Sequence, residues 1–203
     1  MVREQIESRG VDDPAVLAAM RRVPRDRFLP EDRLAEAHGD YPVQIGHGQT
    51  ISQPYIVAIM SELARVEPGD RVLEVGTGSG YQAAILAEMG ARVWTIEIVE
   101  PLAKSAAQLL RDLGYDDVTV RHGDGYAGWP EEAPFDAIVL TAAPLKIPQP
   151  LLDQLAPRGR LVAPVGRFAQ ELVVVTRGEN GLEYESVLGV RFVPMTGAAQ
   201  QVR

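Results

Sequence analysis

The sequence predicts a Rossmann-like, three-layer α/β/α sandwich. Its sheet is seven-stranded and mostly parallel, in the order 3-2-1-4-5-6-7, with a C-terminal antiparallel hairpin. Three observations lead there. From about residue 71 to 165, β-branched runs alternate with helical patterns, as in βα units joined by right-handed crossovers. Within that stretch, Val72-Leu-Glu-Val-Gly-Thr-Gly-Ser-Gly-Tyr81 compresses an apolar strand, a tight turn and a helix start into ten residues. After residue 165 the pattern changes: Glu171–Arg177 and Leu182–Val193 are strand-like and are joined by Gly178-Glu-Asn-Gly181, a hairpin signal.

Each element has its own local cause. Residues 2–9 read as a short helix closed by Gly10, and Asp13-Pro14 as an N-cap followed by proline at the first helical position. That helix runs to about Arg22 and stops before Pro24. Residues 31–38 form another short helix. Gly46 to Tyr55 is a loop leading into a helix over about 54–66, and Glu67-Pro-Gly-Asp70 is a turn. Strands follow at 71–75, 92–97, 118–121, 135–140 and 160–165, with helices at 80–89, 100–113 and 148–156. Only about five residues separate the fifth strand from the sixth, too few for a crossover helix, so these two pair antiparallel and the seventh lies outside them.

Composition narrows the function. The 203 residues suit one domain, 46% hydrophobic and 24% charged. We expect an N-terminal helical segment and active-site loop over 1–53, a ligand-binding core over 54–168, and a C-terminal hairpin and tail over 169–203. No apolar run approaches the roughly 18 residues that span a membrane. The charged N-terminus lacks an export signal, which suggests a cytoplasmic protein. Zero cysteines exclude thiol catalysis and disulfides, and His38, His47 and His122 fit no zinc spacing, so no metal is expected. A net charge of −8 argues against a nucleic-acid partner. A monomer is the default.

The glycine turn carries the chemistry. Gly76, Gly78 and Gly80 read G-x-G-x-G, whereas a dinucleotide-binding turn reads G-x-G-x-x-G and would place its third glycine at Tyr81. The spacing therefore favours an adenosyl ligand without a pyrophosphate, and S-adenosylmethionine fits; a merely packing turn is the bland alternative. Glu97 ends the second strand nineteen residues after Gly78, placed to accept from ribose hydroxyls or else to serve as a first-turn acid. Glu74 steadies the loop or faces the sulfonium. Gly123-Asp124-Gly125 ends the third strand, where the acid can accept the adenine amino group or simply make a turn. Thr77, Ser79 and Ile98 complete this group. The small residues of Thr141-Ala142-Ala143 leave room at the end of the fourth strand.

At these residues the chain resembles the protein-L-isoaspartate (D-aspartate) O-methyltransferase family. The resemblance covers nearly the whole chain. It rests on Gln5-Ile-Glu-Ser-Arg-Gly10, Val23-Pro-Arg25, Gly48-Gln-Thr-Ile-Ser-Gln-Pro54, the Leu73–Ala83 block, Gly123-Asp-Gly125, Ala133-Pro-Phe-Asp136, Thr141-Ala-Ala143, Pro164-Val-Gly166 and Arg191-Phe-Val-Pro194. His38-Gly39-Asp40 stands where the family carries an aromatic residue and an Asp.

The resemblance implies methylation of the abnormal α-carboxylate of isoaspartyl residues in damaged proteins and peptides. The ester then collapses to a succinimide, and hydrolysis returns some aspartate. The resemblance maps the active-site serine onto Ser52 and places Thr50, Ile51 and Thr141 beside the methyl donor. It assigns Gln53, Ala142, Val193 and Pro194 to the substrate, and Thr196 and Gln201 to closure over the cofactor. Taken alone, Ser52 also reads as a helix N-cap, and Gln53 and Tyr55 as capping or packing residues. Rivals stand beside this reading. One is a methyltransferase for a small molecule or RNA, and another is a non-enzymatic adenosyl-binding module. An NAD-dependent oxidoreductase fails on the glycine spacing.

Overall fold

A computed structural model of the chain describes residues 1–201. Two helical turns, Val2–Ile6 and Glu7–Arg9, end at Gly10 in the left-handed region. Helix α1 (Pro14–Arg22) starts where the Asp13 side chain accepts from the amides of Ala15 and Val16. Two short 3-10 turns, Arg25–Phe28 and Glu31–Glu36, lead to a small antiparallel hairpin of β1 (Val43–Gly46) and β2 (Gln49–Ile51). The segment read from the sequence as a plain loop from Gly46 therefore holds the turn and second strand of this hairpin, and the first strand precedes it. Helix α2 (Pro54–Ala64) follows.

The main sheet then builds up as β3 (Arg71–Val75), α3 (Tyr81–Glu88), β4 (Arg92–Glu97), α4 (Glu100–Asp112), β5 (Val118–His122), β6 (Phe135–Leu140), α5 (Gln149–Asp153), β7 (Leu155–Val165), β8 (Gln170–Gly178) and β9 (Gly181–Val190). Its order is β5-β4-β3-β6-β7-β8-β9, parallel through β7 and antiparallel beyond. This is the expected order, antiparallel hairpin included.

The largest differences in bounds fall in two places. The helix expected over 148–156 stops at Asp153, and β7 begins at Leu155 rather than residue 160. Pro157 has no N–H to donate to the Asp153 carbonyl and disfavours a helical Ala156 before it, and Leu155 instead pairs with Phe135 before the register jumps to Ala137 opposite Arg160. Strand β9 ends at Val190, not Val193. Beyond it, the Gln170 side chain holds Phe192, accepting from its amide at 2.6 Å and donating to its carbonyl at 3.1 Å.

Alternation along the strands supplies two cores. Val72, Val93 and Val139 face a layer that holds Val57, Met60, Ile85 and Leu110 from the helices. Leu73, Ile96 and Ile138 face the other layer with Leu151 and Leu152 of α5, closed by Met195 and Ala199 from the C-terminal segment. The carboxyl ends of β3, β4, β5 and β6 converge at one edge, the place where open α/β sheets bind ligands.

Candidate active site

The glycine turn between β3 and α3 forms the floor of a cleft of about 820 Å3, counting its open mouth. Gly76 sits at φ +101, and a Cβ there would land on Thr141 Oγ1, whose hydroxyl donates to the Gly76 carbonyl. Gly80 is the N-cap of α3 at φ +90, and its missing Cβ lets the turn approach Leu110 and Ala106 of α4. Both positions therefore require glycine for conformation and for space.

Two acids lie against this turn. Glu97, at the end of β4, accepts from Gly78 N at 2.8 Å through Oε2 and from Val99 N at 2.9 Å through Oε1. Glu74, on β3, has no exposed surface. Its Oε2 accepts from Thr95 Oγ1 at 2.5 Å, and Thr95 Oγ1 lies 2.6 Å from Thr77 Oγ1. Its Oε1 is buried without a partner. Burial first, with Glu97 adding to it and the Thr95 hydrogen bond opposing, pushes the Glu74 carboxyl up to about 8.

Asp124 follows β5. Its Oδ1 accepts from Tyr126 N at 2.9 Å and its Oδ2 from Ala198 N at 2.8 Å. This second bond ties the turn after β5 to the C-terminal 3-10 turn Gly197–Gln201. The C-terminal segment reaches the cleft through Ala143, whose amide donates to the Val193 carbonyl and whose carbonyl accepts from Met195 N, both at 2.8 Å.

The loop after β2 forms the opposite wall. Ile51 is buried and anchors it. Gln53, not Ser52, is the N-cap of α2, and its side chain does not cap the helix; its Nε2 donates to Asp40 Oδ1 at 2.8 Å. The N-cap alternative for Ser52 is thereby removed. Tyr55 lies under the Arg9 guanidinium, 3.5 Å from ring centroid to Cζ.

The cleft is lined by Thr50, Ile51, Ser52, Glu74, Gly76, Thr77, Gly78, Ser79, Glu97, Ile98, Asp124, Gly125, Thr141, Ala142, Val193, Pro194 and Thr196 among the residues singled out from the sequence. Gly80, Gly123, Gln53 and Gln201 fall outside that lining. Gly80 acts one layer below it, and Gln201 is exposed at the end of its turn. Gln82 and Met195 join the lining without having been singled out. Gln82 is held at the start of α3 by donating to Ser61 Oγ at 2.8 Å, a contact across two helices that no local motif marks.

A second, wider groove adjoins the cleft and shares Thr50, Ser52, Thr141 and Val193 with it. The two differ in charge. The cleft is lined by two carboxylates, Glu97 and Asp124, by Glu74, which its raised pKa keeps largely protonated near neutral pH, and by no Lys, Arg or His. The groove is lined by Arg9 and Arg191 and by no Asp or Glu. Arg9 is ion-paired with Asp40 at 3.1 Å. An acidic cleft disfavours a pyrophosphate and suits a cationic or neutral ligand, which a sulfonium with an amino group satisfies. Among the described residues there is no cluster able to hold a metal ion and no helix long and apolar enough to cross a membrane.

Comparison with known proteins agrees with this geometry. The profile of the protein-L-isoaspartate(D-aspartate) O-methyltransferase family matches residues 1–200. A protein-L-isoaspartate O-methyltransferase of Gloeobacter violaceus is 60% identical over 97% of this chain and 97% of its own length. One from Picosynechococcus is 55% identical over 97% and 89%. A solved protein-L-isoaspartate O-methyltransferase superposes with a TM-score of 0.87 at 28% identity, over 94% of this chain and 63% of that one. A beta-aspartate methyltransferase from Plasmodium falciparum, solved with S-adenosyl-L-homocysteine, gives 0.82 at 30% identity over 94% of both chains.

Proposed function

The chain belongs to the protein-L-isoaspartate(D-aspartate) O-methyltransferase family, and on that premise we propose that it transfers a methyl group from S-adenosylmethionine to the free α-carboxylate of isoaspartyl residues in damaged proteins and peptides. The observation that carries this reading is the opposite charge of two adjoining spaces. A carboxylate-lined cleft suits a sulfonium donor, an arginine-flanked groove suits a carboxylate acceptor, and Ser52 and Thr141 stand where they meet.

The chemistry asks little of the protein beyond placement. The bound cofactor supplies a methyl group on a sulfonium, whose sulfur leaves with the electron pair. An acceptor carboxylate with a pKa near 4 is already ionised at pH 7, so no general base is required. That fits a junction with no His–Asp or Ser–His pair. What remains is to hold the acceptor in line, a contribution that is large when the geometry is right. In this reading Ser52 donates a hydrogen bond that orients the carboxylate, and Gln53, Ala142, Val193 and Pro194 border the peptide. Thr50, Ile51, Glu74, the Gly76–Gly80 turn, Glu97, Ile98, Gly123–Gly125, Thr141, Thr196 and Gln201 serve the cofactor. The methyl ester leaves the enzyme and closes to a succinimide on its own.

The reading also takes the chain as one catalytic unit, working as a monomer in the cytoplasm, with no nucleic-acid partner. The product's chemistry tests the reaction class. Label transferred from S-adenosylmethionine to an isoaspartyl peptide should be released as methanol by mild alkali, as a carboxyl ester requires. Alkali-stable label would exclude a carboxyl ester and overturn the reading.

A further inference from the structure

Arg25 opens the 3-10 turn Arg25–Phe28 and is 1% exposed. Its Nε donates to the Ala37 carbonyl and its Nη2 to the Ser52 carbonyl, each at 2.8 Å. Its guanidinium carbon lies 4.8 Å from the centroid of the Tyr81 ring, and Nη1 is buried without a partner. Among the described residues it forms no ion pair with a carboxylate. Burial draws its pKa below the ordinary value, with Tyr81 partly opposing, yet a guanidinium stays charged in a protein.

A buried cation without a counter-ion is a costly way to fill space, and an apolar side chain of that size would fill it more cheaply. The turn has a second, apolar anchor. Phe28, on the same turn, is buried and meets Tyr81 edge-on at 5.4 Å. The three contacts of Arg25 join the parts that must stay in register: the segment leading to the β1–β2 hairpin, the Ser52 loop, and Tyr81 directly after the glycine turn.

We infer that Arg25 is a positioning residue for methyl transfer, fixing Ser52 against the glycine turn through the Ser52 carbonyl. This rests on the reading of Ser52 as the group that holds the acceptor carboxylate. Arg25 acts through the backbone of Ser52, and its two-carbonyl fork is one that lysine cannot reproduce.

A double-mutant cycle on the full chain tests it, with an isoaspartyl peptide as acceptor. Arg25→Lys should lower kcat/KM by about tenfold or more while the Kd for S-adenosylhomocysteine stays within about twofold. In a Ser52→Ala background, with no hydroxyl left to misplace, the same change should cost less than about twofold. Equal losses in both backgrounds would assign Arg25 a general structural role and overturn the inference, as would a wild-type-like Arg25→Lys. An unchanged kcat/KM in Ser52→Ala alone would overturn the reading of Ser52 beneath it, and the inference with it. Arg25→Gln, which keeps one carbonyl contact, carries the cycle if the lysine variant unfolds. In the unaltered protein loaded with S-adenosylhomocysteine, the Arg25 Nε–H NMR signal should shift on adding the isoaspartyl peptide, and an indifferent signal overturns the inference.

Discussion

Glu97 Oε2 accepts a hydrogen bond from Gly78 N at 2.8 Å, so the acid that ends β4 holds the middle of the glycine turn that ends β3. Its other oxygen accepts from Val99 N, so the acid also fixes the start of the next helix. Hydrogen bonds to a charged group contribute about 1.5–3 kcal/mol each. Glu97→Gln keeps the shape but loses the charge and one acceptor. We expect S-adenosylhomocysteine to bind about 10- to 100-fold more weakly by calorimetry. Unchanged affinity would show that the turn holds its shape without this acid.

Glu74 predicts a pH dependence of stability. Its carboxyl has an ordinary value of 4.5 and is raised to about 8 by burial in the folded chain. Between those values the folded protein holds a proton that the unfolded chain has released. Stability therefore falls as pH rises through this window, by up to about 1.4 kcal/mol per pH unit from this group. Glu74→Gln removes the titration and should flatten the slope, with the variant gaining most relative to the parent above pH 8. Urea unfolding from about pH 5.5 to about pH 8.5 measures it, and parallel slopes in the two proteins would contradict it.

Gly76→Ala should damage fold and site together. The residue would have to adopt φ +101 with its Cβ on Thr141 Oγ1. A left-handed, clashing alanine costs on the order of 2–4 kcal/mol, read by chemical denaturation. S-adenosylhomocysteine binding should also be lost. A variant within about 0.5 kcal/mol of the parent that still binds would contradict the close contact between the glycine turn and Thr141, just after β6.

Asp124 should couple the cofactor cleft to the C-terminal turn, because its Oδ2 accepts from Ala198 N. In Asp124→Ala, amide exchange at Ala198 should quicken and S-adenosylhomocysteine affinity should fall by about tenfold. Faster exchange with full affinity would confine Asp124 to the turn.

Much of this was legible in sequence because it is local. The short gap before β8, about five residues in the sequence pattern and four in the structure, dictated the antiparallel order, and the glycine spacing excluded a pyrophosphate turn. The β1–β2 hairpin was missed because its strands are only four and three residues long. Its signal was present, since His47 and Gly48 both have positive φ, the demand of a tight hairpin turn. Arg25, Gln82 and the arginines of the groove could not be read as site groups. Their roles depend on partners far along the chain: Ser52 is 27 residues from Arg25, and Ser61 is 21 from Gln82. No periodicity or cap encodes such contacts. The bulge that starts β7 at Leu155 likewise depends on its pairing with Phe135.

The central claim is that the acceptor is an isoaspartyl α-carboxylate. Its most direct test is methyl transfer from labelled S-adenosylmethionine to two synthetic peptides identical except for one aspartyl or isoaspartyl linkage. Base-labile label should appear on the isoaspartyl peptide alone. Equal labelling of both, or none on either while S-adenosylhomocysteine still binds, would contradict it.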